Sequence, residues 1–166
     1  MHKRTVTSLL FLLSVCMLVF AASAAKSPAN LDAVDLNGNK VTAEVFKDYD
    51  VTMINIFTTW CGYCINEMPD LNKLYEQLPK NANLIAICAD AYDAPDDLAA
   101  IMEYFKLKFP VLKMTKAQVN QIYGVLGYPT TIFVDKDGNL LKAITGAPKN
   151  ALQGYGDVIS SLQGSK

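Results

Sequence analysis

Histidine is almost missing from this chain: among 166 residues there is one, His2. It stands at the extreme N-terminus, so a metal site or an acid–base catalyst in the main body has to be built without imidazole. Clustered positive charge is missing too. Fifteen Lys and Arg against sixteen Asp and Glu give a net charge of −1, and the basic residues are scattered, with nothing beyond isolated pairs. That pattern speaks against a nucleic-acid partner. No internal repeat or low-complexity tract stands out. Cysteine is sparse, with four residues: Cys16, Cys61, Cys64 and Cys88.

What is present begins with "MHKRTVTSLLFLLSVCMLVFAASAAKSP". A basic start at His2, Lys3 and Arg4, an apolar run from Leu9 to Ala22 broken only by Ser14, and the small residues Ala22, Ser23, Ala24 and Ala25 read as a secretory signal peptide over residues 1–25. Two alternatives stay open. The apolar run is a little short of the ~18 residues of a spanning helix, so an uncleaved anchor is one. The other is a lipoprotein through Leu13-Ser14-Val15-Cys16, against which Val15 is bulky. We therefore expect an exported chain, periplasmic or otherwise extracytoplasmic, touching a membrane only through this segment if it is retained. Removing 25 of the 166 residues leaves one domain, 26–166, with 13 basic and 16 acidic residues. Cys16 leaves with the leader. Three remaining cysteines, an odd number, do not make a disulfide framework.

Asn37-Gly38 between two short apolar runs predicts a leading hairpin. "VTMINIF", residues 51–57, is apolar on both faces, as a central strand covered by helices on each side would be. From Cys61 onward Cys64, Ile65, Met68, Leu71, Leu74, Tyr75 and Leu78 recur at helical spacing, with Pro69 inside the helix. "NLIAICAD", residues 83–90, reads as a second buried strand, followed by a helix with an acidic first turn and a face of Leu98, Ile101, Met102 and Phe105. "FPVLK" reads as a connector or edge strand, "KAQVNQIYGV" as a helix stopped at Gly124, and "YPTTIFVDKDGNLLKAITG" as two antiparallel strands about an Asp-Lys-Asp-Gly turn. Residues 148–163 close the domain as a helix carrying Leu152, Val158, Ile159 and Leu162. The expected fold is α/β, a mixed sheet between two helix layers.

The chemistry lies in "TTWCGYCINEMP", residues 58–69. A zinc site needs about four ligands, and Cys88 is the only further soft one. Attached c-type haem is excluded because Ile65, not histidine, follows Cys64. A purely structural bridge over two residues would remove little chain entropy. A working dithiol uses the spacing better. At the first helical turn the Cys61 sulfur meets unpaired N–H groups and the positive end of the macrodipole, which favour thiolate and lower its pKa below ~8.5. Cys64, one turn deeper on the same face, is placed to attack a mixed disulfide on Cys61. Cys61 is thus the expected exposed nucleophile and Cys64 the resolver. Cys88, in an apolar strand, reads as an inert core thiol. No cofactor beyond the Cys61–Cys64 pair is called for.

"TTWCGYC" with "YPTT" resembles the thioredoxin fold, in which a proline, here Pro129, precedes a strand through a cis bond beside the dithiol. The run Cys61 to Pro69, the helical segment between residues 91 and 108, and "GYPTTIFVDKDG" are similar to the TlpA/ResA-like extracytoplasmic thioredoxins, over roughly residues 31–163. That resemblance implies a three-layer sandwich with an N-terminal hairpin and a helical insertion, and reduction of protein disulfides, with cytochrome c maturation as one setting. It implies protein dithiol or disulfide clients and a membrane thiol electron donor; we expect a monomer. It also implies that Glu67, three residues from Cys64, replaces the buried aspartate for which this chain has Asn55. The bland reading of Glu67 is a solvated helix face. Tyr63 stands where thioredoxin has proline. Trp60, Tyr63, Tyr128 and Pro129 are the candidate client-binding residues, Trp60 mostly packed with one exposed edge. Two other functions remain: a peroxiredoxin-like peroxidase, for which Thr58 ahead of Cys61 is a partial match, and a redox-inert binding or chaperone module.

Overall fold

The computed structural model describes residues 27–164, so the signal-peptide, anchor and lipoprotein readings of residues 1–25 lie outside the described residues. After a short 3-10 turn at Pro28–Asn30 the elements are β1 (Asp32–Val34), β2 (Lys40–Thr42), a second 3-10 turn (Ala43–Phe46), β3 (Val51–Phe57), α1 (Gly62–Gln77), β4 (Ala82–Cys88), α2 (Pro95–Phe105), β5 (Val111–Lys113), α3 (Lys116–Tyr123), β6 (Thr130–Val134), β7 (Leu140–Thr145) and α4 (Ala151–Gln163). Seven strands form one sheet in the order β2-β1-β5-β4-β3-β6-β7. β3, β4 and β5 run parallel, and the other pairings are antiparallel. This is a thioredoxin-like α/β sandwich.

Side chains alternate across a strand, so β3 serves two cores. Val51, Met53 and Phe57 join Met68, Leu71 and Leu74 of α1, Leu98 of α2 and Tyr155 and Ile159 of α4 on one face. Ile54 and Ile56 face the other way, toward Val119 of α3 and Phe46 of the second 3-10 turn. Every residue of β3 and β4 is buried, as two central strands covered on both sides require. By the same parity Asn55 points to the α1 side. Its neighbours in register are Ala86 on β4 and Thr131 on β6.

Two expectations change. "FPVLK" yields no edge strand: β5 lies between β4 and β1, with Val111 and Leu112 buried. The leading hairpin closes over its free side, leaving the sheet edges to the half-buried β2 and the largely exposed β7. The last helix starts at Ala151, where Asn150 accepts the backbone N–H of Gln153 as N-cap. In both Asp-x-x-Gly-Asn turns, Asp35 and Asp135 accept backbone N–H groups two and four residues on, while Gly38 and Gly138 take positive φ. Among the described residues no helix is long and apolar enough to cross a membrane.

Candidate redox site

β3 delivers the chain to Thr58 at the centre of the sheet, and Cys61 caps α1, its Sγ accepting the backbone N–H of Cys64 at 3.2 Å. Cys61 and Cys64 form a disulfide with Cα atoms 5.3 Å apart. The expected exposure of Cys61 is corrected in this oxidised form. Cys61 is 5% exposed and Cys64 0%, both packed in the core cluster with Met68 and Leu71. The accessible flanks are Trp60 at 66% and Tyr63 at 76%. Trp60 is therefore mostly exposed rather than mostly packed, with its ring edge-on to Tyr128 at 6.0 Å and Lys116 Nζ 5.9 Å from its centroid.

The Tyr128–Pro129 bond is cis. Because Thr130 pairs with Ile56 in the register of β6 on β3, Pro129 opposes the end of β3 that leads to the dithiol. The Thr130 hydroxyl donates to the Gly127 carbonyl at 2.7 Å, tying the loop to the start of the strand.

Glu67 is buried, at 4% exposure, so it is not a solvated helix face. Oε1 accepts from Asn55 Nδ2 at 2.8 Å, and Oε2 accepts from the Tyr155 hydroxyl at 3.1 Å. Asn55 Nδ2 also donates to Thr131 Oγ1 at 3.1 Å, and the Thr131 hydroxyl donates to Tyr155 Oη at 3.1 Å. Desolvation raises the Glu67 pKa above 4.5; the two hydrogen bonds oppose this and Asp70 adds to it. Glu67 also lines a cavity of about 300 Å³ with Tyr63, Asn66, Asp70, Pro148 and Lys149. The carboxyl is thus desolvated yet adjacent to an opening.

Sequence reading missed Asp90. It is 2% exposed and accepts from the Thr59 backbone N–H at 3.0 Å, the Thr59 hydroxyl at 2.9 Å and the Cys88 thiol at 3.2 Å. A buried carboxylate thereby fastens the segment before Cys61 to the end of β4. The one available signal was an aspartate closing an apolar strand run. Burial, then donation to Asp90, pushes the Cys88 thiol up to about 12, which suppresses thiolate and fits an inert thiol. Desolvation first, and Asp90 second, also raise the Tyr128 phenol. Asp90→Ala would orphan the Thr59 N–H, and is expected to lower unfolding free energy by about 3 kcal/mol in denaturant titration. A loss within 0.5 kcal/mol of zero would mean the loop does not depend on this anchor.

Among the described residues no group of three or more His, Cys, Asp and Glu is arranged to hold a metal ion. A disulfide at the N-terminus of the helix that follows a central strand, with a cis-proline opposite the end of that strand in a mixed sheet, defines a thioredoxin-type exchange site. Residues 23–143 match the AhpC/TSA family. Over 132 residues, covering 78% of this chain and 75% of the relative, the sequence is 34% identical to thiol-disulfide oxidoreductase ResA of Bacillus thuringiensis subsp. konkukian. The fold is shared with StoA from Bacillus subtilis (TM-score 0.64, 20% identity, 77% and 95% of the two chains). It is shared also with dsbF of MTB, solved in mixed oxidised and reduced forms (TM-score 0.70, 19% identity, 81% and 96%). The chain belongs to the AhpC/TSA family, among its TlpA/ResA-like thioredoxins, and is a thiol:disulfide oxidoreductase.

Proposed function

We propose that this protein reduces disulfides of protein clients outside the cytoplasm, with Cys61 as nucleophile, Cys64 as resolving thiol and Glu67 as proton acceptor. The observation that carries the reading is the Cys61 sulfur at the N-cap of α1, receiving the N–H of Cys64 where a thiolate is favoured. In the reduced protein the Cys61 thiolate attacks one sulfur of a client disulfide, and the other client sulfur leaves as thiolate. Cys64 gives its proton to Glu67, attacks Cys61 Sγ, and releases the second client thiolate. Two electrons pass to the client and the Cys61–Cys64 disulfide remains, so a membrane thiol donor is needed to reduce it again.

Clients would lie across the exposed Trp60 and Tyr63 rings, adding an extended segment beside Tyr128 and the cis Pro129. Likeness to the ResA-type proteins leads us to place apocytochrome c among the clients and to regard the chain as a monomer. Insulin reduction with a dithiol donor, run beside peroxide consumption, tests the reaction class. Insulin turnover without peroxide turnover is expected; the reverse favours the peroxidase reading, and neither favours a binding module. For compartment, N-terminal sequencing of exported protein should begin near residue 25 or 26. An intact Met1 or a lipid on Cys16 would overturn cleavage at that point.

A further inference from the structure

Four side chains from four elements close a ring beneath the dithiol helix: Glu67 on α1, Asn55 on β3, Thr131 on β6 and Tyr155 on α4. The ring has four contacts. Its neutral members bring four hydrogens: two on Asn55 Nδ2, one on Thr131 and one on Tyr155. Each contact therefore holds one hydrogen, and both Glu67 oxygens are acceptors. Reversing the Asn55 amide would set Oδ1 against a carboxylate oxygen with no hydrogen between them. The orientation present commits both N–H groups and leaves Asn55 Oδ1 buried without a partner. That orphan is the cost of completing the ring.

We propose that Tyr155, Thr131 and Asn55 are positioning residues that make Glu67 the terminal acceptor of a ring whose four contacts are filled without a carboxyl hydrogen, so that a proton Glu67 gains is held outside the ring. A protonated Glu67 brings a fifth hydrogen to four contacts. With the Asn55 amide oriented as it is, the surplus hydrogen has no contact in the ring, and the open side of Glu67 is the cavity it lines. The ring thus makes Glu67 a place where a proton rests briefly.

The other charged or titratable groups around Glu67 are few. Asp70 and Cys64 share its helix, Tyr155 faces it from α4, and Tyr63 and Lys149 stand at the cavity. β3 and β6 contribute the neutral Asn55 and Thr131. Desolvation favours the acid and the ring favours the carboxylate, so removing a ring donor should move Glu67 toward the acid.

The test is a carbon-13 NMR titration of the Glu67 carboxyl in the full chain, kept in the disulfide form so that no thiolate titrates with it. Tyr155→Phe keeps the ring packed 6.3 Å from Phe133 but deletes one donor to Glu67. Its Glu67 acid constant should fall about tenfold, with titration moved to higher pH. Thr131→Val leaves both donors to the carboxylate in place and should move it less. An unmoved or lowered titration in Tyr155→Phe, or an equal shift in Thr131→Val, overturns the ring. The inference rests on the exchange role given to Glu67, and the two can fail separately. If the carboxyl shifts as expected while the resolution rate of Tyr155→Phe ignores the shift, the ring stands and the exchange role of Glu67 falls.

Discussion

Cys61→Ser is expected to lower disulfide exchange at least about a thousandfold, because it removes the attacking thiolate and with it the covalent route. Cys64→Ser should lose turnover by a comparable factor yet behave differently, accumulating mixed disulfides in which Cys61 is bonded to a client. The asymmetry follows from position. Cys61 caps the helix with its sulfur at the N–H of Cys64, while Cys64 is fully buried one turn inward. Non-reducing electrophoresis of each variant with insulin reads the difference directly. Equal trapping by the two variants would sink the assignment of roles. Cys88, whose thiol sits near 12 against Asp90, should form no adduct in either.

Glu67→Gln should leave capture of the client through Cys61 intact and slow resolution by roughly a hundredfold, the lower range of what a positioned general base contributes. Stopped-flow exchange with a model disulfide separates the two steps. The rise of resolution rate with pH that reports Glu67 ionisation should vanish in the variant, and superimposable wild-type and variant profiles would remove Glu67 from the mechanism. Stability gives a second, independent signature. The folded pKa of Glu67 is raised above 4.5, so the native state binds the proton more tightly than the unfolded chain does. Its contribution to stability is fully present below about 4.5 and is lost as pH rises through the folded value. The stability of the wild type relative to Glu67→Gln should therefore decline between those limits. A flat difference in denaturant titrations across that window would mean that burial does not shift the group.

Much of the site was legible because its signals are local. A β-branched apolar run, two cysteines three apart and a following helical period together place a dithiol at a helix start, since each depends only on neighbours along the chain. The proline of "YPTT" was legible through family resemblance, and its cis bond agrees. Glu67 was legible as a candidate because Cys64 lies three residues away. The spacing could not decide whether its carboxyl met solvent or core.

Tertiary structure decided what reaches Glu67 and what holds the loop before Cys61. Tyr155 is 88 residues from Glu67, and Thr131 is 76 from Asn55. Each is an ordinary helix or strand residue until the sheet register brings Thr131 opposite Asn55 and α4 packs beside α1. Asp90 meets Thr59 across 31 residues for the same reason. The place of β5 inside the sheet depended on the leading hairpin closing over it, a pairing that neither segment announces alone. Periodicity along the chain therefore determined the elements and the dithiol. Buried polar partners were settled only where strands from distant parts of the sequence lie about 5 Å apart and helices pack across them, because there an unpaired donor or acceptor has no water to turn to.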